Sequence, residues 1–572
     1  MIAKKVMSFK TGNGSLKRAD VSEERLLSEN WSYVRSLAPF IFSSPSSFAS
    51  CMATACYHFP HQVRPISAHS SVISSRCRCH SLFAPPSDRF GCFSCAVSQC
   101  RYLQCVKRSM ELVVCHLLIT ALAFTSAFQT KLIATSKVLL DEIINGHDDS
   151  LKWLAELCDD FGPRKTGSDS LENAIDWVME SLRASGFEVH SEPVPGLPNW
   201  IRGDDSAYII EPRQHKLNIL AIDGSPPGLV EGQVVVIREI EELKNKKVKG
   251  KIVVTAQNWT TYGNAVKYRQ LAKEVAKRGG LALLAKSAAP MSLYTAHTGA
   301  GARGSPIPAA CLTSEEAEMI SRWYDRKKKV IVRLNITSAE SPEKVISRNV
   351  VFEIKGSTNP DEIVLLSAHI DSWDVGQGAL DDGGGMAAMR AAMLAIKRLS
   401  EVNPDFKPKR TIRGIFWTAE EQGTLGSSHY FHDHSNRNER FVFASESDQG
   451  AFRPCNYRSR LRYQGDRRHK SLIEQIVLLM NANGVPLRVQ NSSDQVDITY
   501  FANAGIPSVN YESDKGNDYY FNFHHSNADY VSIFKEDDIK YTAAIFAVLA
   551  HNIANMEECV SSGGWSRVFA IW

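Results

Sequence analysis

Apolar positions recur along this chain with two different periods. Leu171, Ile175, Val178 and Leu182 return every three or four residues, predicting an amphipathic helix with Gly186 as its stop. From residue 348 onward, short apolar runs alternate with helical stretches. The runs are NVVFEI, EIVLLSAH, TIRGIFW, RFVFASE and PSVNYES. The helices are marked by Met386, Met389, Met393 and Ile396, then by 471–483, then by Ile539, Phe546 and Ile553. Strands that are apolar at successive positions are buried on both faces, and their alternation with helices predicts an α/β fold. The expected core is a mixed, mostly parallel sheet with helices on both faces.

Residues 226–345 follow another pattern. GQVVVI and GKIVVTA are short β-rich runs at glycine turns, YRQLAKEVAKRGG reads as one amphipathic helix, and LALLAK as a further strand. The polar stretch TSAESPEK closes the segment. This predicts a small α/β domain inserted into the larger one, which then comprises 148–225 and 346–572. Before the insert, HKLNILAI (215–222) reads as one strand and FGPRKTGS (161–168) as a loop.

The N-terminal part has neither period. Lys107 and Arg108 precede an apolar run from Leu112, and Thr125 and Ala127 fit the small-residue positions of signal cleavage. The run is too short to span a bilayer comfortably. It predicts a signal peptide over 110–127 opening at Met110, with 1–109 an over-extended or disordered leader. A membrane anchor is the alternative at this segment. A secretory route would make Asn258, Asn335 and Asn491, each opening an Asn-x-Ser/Thr sequon, candidates for glycosylation.

Charge and cysteine sharpen that division. The net charge is +4, which argues against a nucleic-acid-binding protein. It conceals about +9 in residues 1–109 and about −5 in the rest. Nine of the 13 cysteines precede residue 116. Cys92, Cys95, Cys100 and Cys105 match no common zinc spacing, and Cys158, Cys311, Cys455 and Cys559 permit several pairings.

Candidate chemistry sits at the strand ends. His369 ends EIVLLSAH, with Asp371 two residues on. Asp381 and Asp382 lie in the glycine-rich turn that opens the next helix, and Glu420 and Glu421 follow TIRGIFW. Asp448 follows RFVFASE, and HHSNAD (524–529) precedes the last helix. In open α/β sheets, sites form beyond the strand C-termini. Imidazoles and carboxylates gathered there suit a pair of Zn²⁺ ions with one bridging carboxylate and a spare one as base. Taken singly, each residue has a plainer use. Asp382 could cap the helix. His524 reads as a neighbour of a ligand, Asp529 as a hydrogen-bond partner or cap.

The ordered motifs AHIDSWDVGQGA, DDGGG, WTAEEQG, ESDQG and FHHS resemble the M28 family of co-catalytic zinc peptidases, and FGPRKTGS, EPRQHKL and TAHTG extend the likeness over about 150–558. The resemblance implies a zinc-exopeptidase fold and two Zn²⁺ per chain. His369 and Asp448 would hold one ion, Glu421 and His525 the other, with Asp381 bridging. Glu420 would be the general base, Asp371 would orient His369, and the Asp381–Asp382 peptide would be cis. The insert resembles a protease-associated (PA) domain, and 128–147 would be a pro-segment. The family precedent also implies a secreted or lysosomal homodimer that hydrolyses dipeptides or short peptides with free termini. The basic stretch 455–470 and the C-terminal GWSRVFAIW fall outside the pattern. Two other readings remain open: a single-zinc acyltransferase like glutaminyl cyclases, and a non-catalytic PA-containing receptor.

Overall fold

The computed structural model describes residues 131–556, apart from 436, 438, 494, 517 and 536. The leader, the signal segment 110–127 and Cys559 lie outside the described residues. The main sheet has eight strands: β1 (Glu188–Leu197), β2 (Val345–Ile354), β3 (Asn359–His369), β4 (Arg410–Trp417), β5 (Arg440–Glu446), β6 (Arg460–Gln464), β7 (Arg488–Asn491) and β8 (Ser508–Glu512). Their order is β1-β2-β4-β3-β5-β8-β6-β7. The central four, β4, β3, β5 and β8, run parallel, while β1, β2 and β6 join antiparallel. The mixed, mostly parallel core is therefore present, and the unbroken burial of β4 and β8 is its signature.

Helices cover both faces. Gly384–Val402 and Asp538–Asn555 pack into the main core beside Ser150–Phe161 and Asp169–Ala184. Asp169–Ala184 starts where Ser168 Oγ accepts from the Leu171 amide, a side-chain cap. A further helix over 131–145 also belongs here: Leu139, Leu140 and Ile143 are buried in the same core, and Asn552 donates to Ser136 Oγ at 2.8 Å. Residues 131–145 of the stretch expected as a pro-segment thus pack against this core. Among the described residues, no helix is long and apolar enough to cross a membrane.

The second sheet forms the inserted body, and it starts earlier than 226. Ser206–Glu211, His215–Leu217 and Ile219–Ala221 all pair within it, joining Gly228–Ile237, Lys251–Thr255, Ala282–Lys286, Ala309–Leu312 and Ile331–Ile336. The turn after Ile222 suggested a boundary, but it is internal to this domain. HKLNILAI is two short strands, the first pairing with Ser206–Glu211 and the second with Ala309–Leu312. YRQLAKEVAKRGG is not one helix either. It breaks between Tyr262–Arg269 and Ala272–Lys277, and Arg269 turns inward at the break. A two-stranded ribbon, Trp200–Ile201 on Ala339–Glu340, forms the neck between the domains. Cys158 and Cys311 are buried thiols, and Cys455 is exposed and also free.

Candidate metal centre

Parallel strands deliver their C-termini to one edge, and the acidic and histidine residues collect there. β3 ends at His369, β4 leads into Glu420 and Glu421, and β5 leads into Asp448. The turn after β4 is sharp: Ala419 has φ 56°, in the left-handed region. Asp381 and Asp382 precede the helix Gly384–Val402, and His524 and His525 arrive from the loop after β8. The Asp381–Asp382 peptide is cis.

Asp381 stands in the middle. Its Oδ1 lies 3.2 Å from His369 Nε2, and its Oδ2 lies 3.2 Å from His525 Nε2. His369 Nε2 is also 3.4 Å from Asp448 Oδ1, and His525 Nε2 is 3.0 Å from Glu421 Oε2. His524 Nε2 lies 3.5 Å from Asp381 Oδ2, nearer than the sequence suggested. The Nδ1 atoms of His369 and His525 are occupied, while that of His524 is buried without a hydrogen-bond partner. His369 Nδ1 meets the Asp371 carbonyl at 2.9 Å, and His525 Nδ1 meets the Thr298 carbonyl at 3.3 Å. A carbonyl facing Nδ1 fixes the proton there and leaves Nε2 with a lone pair that could bind a metal.

The remaining acids hold the frame. Asp371 accepts the Glu420 and Glu421 amides at 3.0 and 3.3 Å, one on each oxygen. Asp382 accepts the His369 and Gly385 amides at 3.3 and 3.2 Å, the cap expected of it combined with a grip on the strand end. Gly385 is required there, since a Cβ would sit 2.3 Å from Asp382 Oδ1. Asp529 accepts from the Leu380 and Asp381 amides at 2.6 and 3.3 Å.

This donor set carries more negative charge than protein groups alone balance. Burial, then repulsion from Asp448 and Glu421, raises the Glu420 carboxyl well above its ordinary range. Burial and Asp381 do the same to Glu421. Burial works against a charged His369, but Asp381 and Asp448 outweigh it and raise its pKa. Asp381 Oδ2 and Glu421 Oε1 are buried without a hydrogen-bond partner. Orphaned carboxylate oxygens facing two Nε2 atoms fit a divalent cation, and the imidazole–carboxylate chemistry fits zinc.

The sequence signature of peptidase family M28 matches residues 349–550. Carboxypeptidase Q of Bos taurus is 39% identical over 419 residues, covering 72% of this chain and 86% of that protein. The chain belongs to peptidase family M28. Carboxypeptidase Q of Xenopus laevis is 35% identical, covering 74% of this chain and 90% of its own. Among solved structures, a peptidase M28 precursor from Shewanella amazonensis SB2B superposes with a TM-score of 0.69 at 29% identity, covering 74% of this chain and 97% of that one. An aminopeptidase from Aneurinibacillus sp. strain AM-1, at 18% identity and a TM-score of 0.54, shares the fold over 73% of this chain and 97% of its own. As a member of the family, the chain is a metallo-exopeptidase, and the cation its donors suit is zinc.

Sequence reasoning missed part of what this M28 peptidase uses to build the site. Arg164, in the FGPRKTGS loop, is fully buried. It donates to the carbonyls of Ile370, Gln377 and Gly378 at 2.8, 2.8 and 2.9 Å, pinning the loop between His369 and Asp381. The motif flagged the loop, but an arginine bonded to carbonyls leaves no charge partner to read. Arg164→Met strands three buried carbonyls, each worth about 1–3 kcal/mol. It should lower the melting temperature by several degrees and weaken zinc retention. A melting curve and zinc content equal to the parent's would refute this role.

Proposed function

We propose that this M28 peptidase is a di-zinc exopeptidase that hydrolyses dipeptides or short peptides with free termini. The supporting observation is Asp381, which turns one oxygen to each of two histidines. His369 and Asp448 would hold one ion, Glu421 and His525 the other. Zinc supplies Lewis-acid chemistry, acidifying water and polarising a carbonyl oxygen. Glu420 takes the proton from the attacking water and delivers it to the leaving amine. Asp371 holds the Glu420 amide, so the base is set from the backbone. The buried acids attract a cationic α-ammonium group. A dipeptide panel with zinc content measured alongside tests the reading. Turnover with about two zinc per chain is expected. One zinc with cyclisation of glutaminyl peptides, or no zinc and no turnover, would overturn it.

The preference for a free α-amino group has its own check. N-acetylated dipeptides should be hydrolysed far more slowly than the free forms. Equal turnover of both would remove the ammonium from the account.

Entry to the secretory pathway through 110–127 leads to a secreted or lysosomal enzyme. Asn258 and Asn491, both exposed, are its better glycan acceptors, whereas Asn335 is half-buried in a strand. Secreted protein should begin near Phe128 or after a pro-segment, and recovery of residues 1–109 by N-terminal sequencing would exclude this. Homodimerisation through or beside the insert is the expected assembly. A fully active monomer by light scattering would count against it.

A further inference from the structure

The loop 296–301 belongs to the inserted domain, yet it grips a residue of the metal centre. Thr298 bonds His525 twice: its N–H donates to the His525 carbonyl at 2.8 Å, and its carbonyl lies 3.3 Å from His525 Nδ1. Beside it, His297 forms a bridge with Ser526, and its Nε2 lies 3.1 Å from the Asn522 carbonyl. The clamp has work to do. His525 has φ 59°, a left-handed conformation that a residue with a side chain keeps only where its surroundings enforce it.

Behind Thr298 stands Arg269. It is 5% exposed. Its Nη1 donates to the same Thr298 carbonyl at 2.5 Å, its Nε to the Ala300 carbonyl at 3.0 Å, and its Nη2 to the Tyr262 hydroxyl at 3.3 Å. None of these partners is a carboxylate, and a buried guanidinium without one is costly to keep. After burial, Tyr262 and Cys311 act on its charge most, and Glu421 of the metal centre less. Tyr262 reaches the same region, stacking on Phe521 at 4.6 Å and meeting His524 edge-on at 4.8 Å. Gly299 makes the room. Its φ is 141°, and a Cβ there would lie 2.2 Å from Arg269 Cζ.

We propose that Arg269 is a positioning residue of the metal centre: it fixes the Thr298 carbonyl against Nδ1 of His525, and through it the inserted domain sets how tightly the site holds zinc. The proposal rests on the zinc-peptidase reading above and reaches the reaction only through His525. A group that orients a ligating histidine is typically worth 10–100-fold in metal affinity.

The test uses the full-length enzyme and zinc itself. Arg269→Met removes the guanidinium, while Gly299→Ala displaces it and leaves its charge. Arg269→Lys keeps a cation but offers a single donor nitrogen in place of three. Zinc affinity is read by competition with a chelator, and melting temperature with and without zinc. Arg269→Met and Gly299→Ala should each bind zinc about 10–100-fold more weakly. Both should narrow the gap between zinc-loaded and zinc-free melting temperatures. Arg269→Lys should recover part of the affinity. If Arg269 only packs the insert, the two melting temperatures fall together and zinc affinity stays at the parent's value, which overturns the proposal. Should Arg269→Met fail to fold, the other two variants decide the matter by the same measurements. Parent enzyme that binds zinc but hydrolyses no peptide would refute the peptidase reading alone, and the affinity comparison would still stand.

Discussion

Glu420→Gln should bind as much zinc as the parent enzyme and turn over substrate roughly 10²–10⁴-fold more slowly, the scale of a lost general base. The amide keeps the shape of the side chain and removes its basicity. The neighbour provides the control. Glu421 Oε2 lies 3.0 Å from His525 Nε2 and its Oε1 is a buried orphan, which suits the ligand role proposed for it. Both residues hang from the same support, since Asp371 accepts both amides. Glu421→Gln should therefore lose zinc together with activity. Two substitutions of the same kind, one residue apart, then separate base from ligand. Near-normal turnover in Glu420→Gln, or zinc lost from it and kept in Glu421→Gln, would reverse the assignment.

Zinc removal should invert how stability depends on pH. Burial, with repulsion from Asp448 and Asp371, pushes Asp497 up to about 7 from an ordinary 3.8. Burial and Asp381 push Asp529 up to about 7 as well. An acid raised in this way binds a proton in the folded state that the unfolded chain releases. Folding is thus penalised above the raised value and relieved as pH falls through it. His369, raised by Asp381 and Asp448 against its burial, has the same sense: its contribution is present below its ordinary value and lost as pH rises. Buried His297 and His551, both pushed down to about 4, oppose this as pH falls. The two aspartates, on the order of 3–5 kcal/mol together, and the raised Glu420 and Glu421 outweigh them, so chelated enzyme should gain stability from pH 8 to pH 5. Zinc-loaded enzyme should lose stability over the same range, because protonated ligands release metal. Melting temperatures of both forms across that range test this, and parallel slopes would sink it.

The central strands were legible because burial on both faces leaves an unbroken apolar run, as in TIRGIFW. The edge was not. β1 carries Pro193 and Pro195 and alternates irregularly, and β6 and β7 lie among arginines, so neither reads as a buried strand. The candidate ligands were legible because histidine and carboxylate at strand ends have few other uses in such density. The parts that orient them were not, because most act through the backbone. The Thr298 carbonyl, the Asp371 carbonyl and the amides gathered by Asp382 and Asp529 leave no trace in side-chain identity. The insert boundary failed for a related reason. The turn after Ile222 has the composition of a linker, and only strand pairing shows that the domain continues across it.

β1 and β2 are antiparallel neighbours, with Leu197 opposite Val345, so the chain leaves the main sheet and rejoins it about one strand spacing away, roughly 4.8 Å. A gap that narrow makes the excursion interchangeable. A shorter loop or an unrelated module could be spliced between those two residues without shifting the register of any other strand, and recombination between lineages could trade one for another. What such an exchange could not supply for free is the tether on His525. A transplanted module that spans the gap but offers no main-chain partner at that point would leave an intact sheet and a slackened histidine.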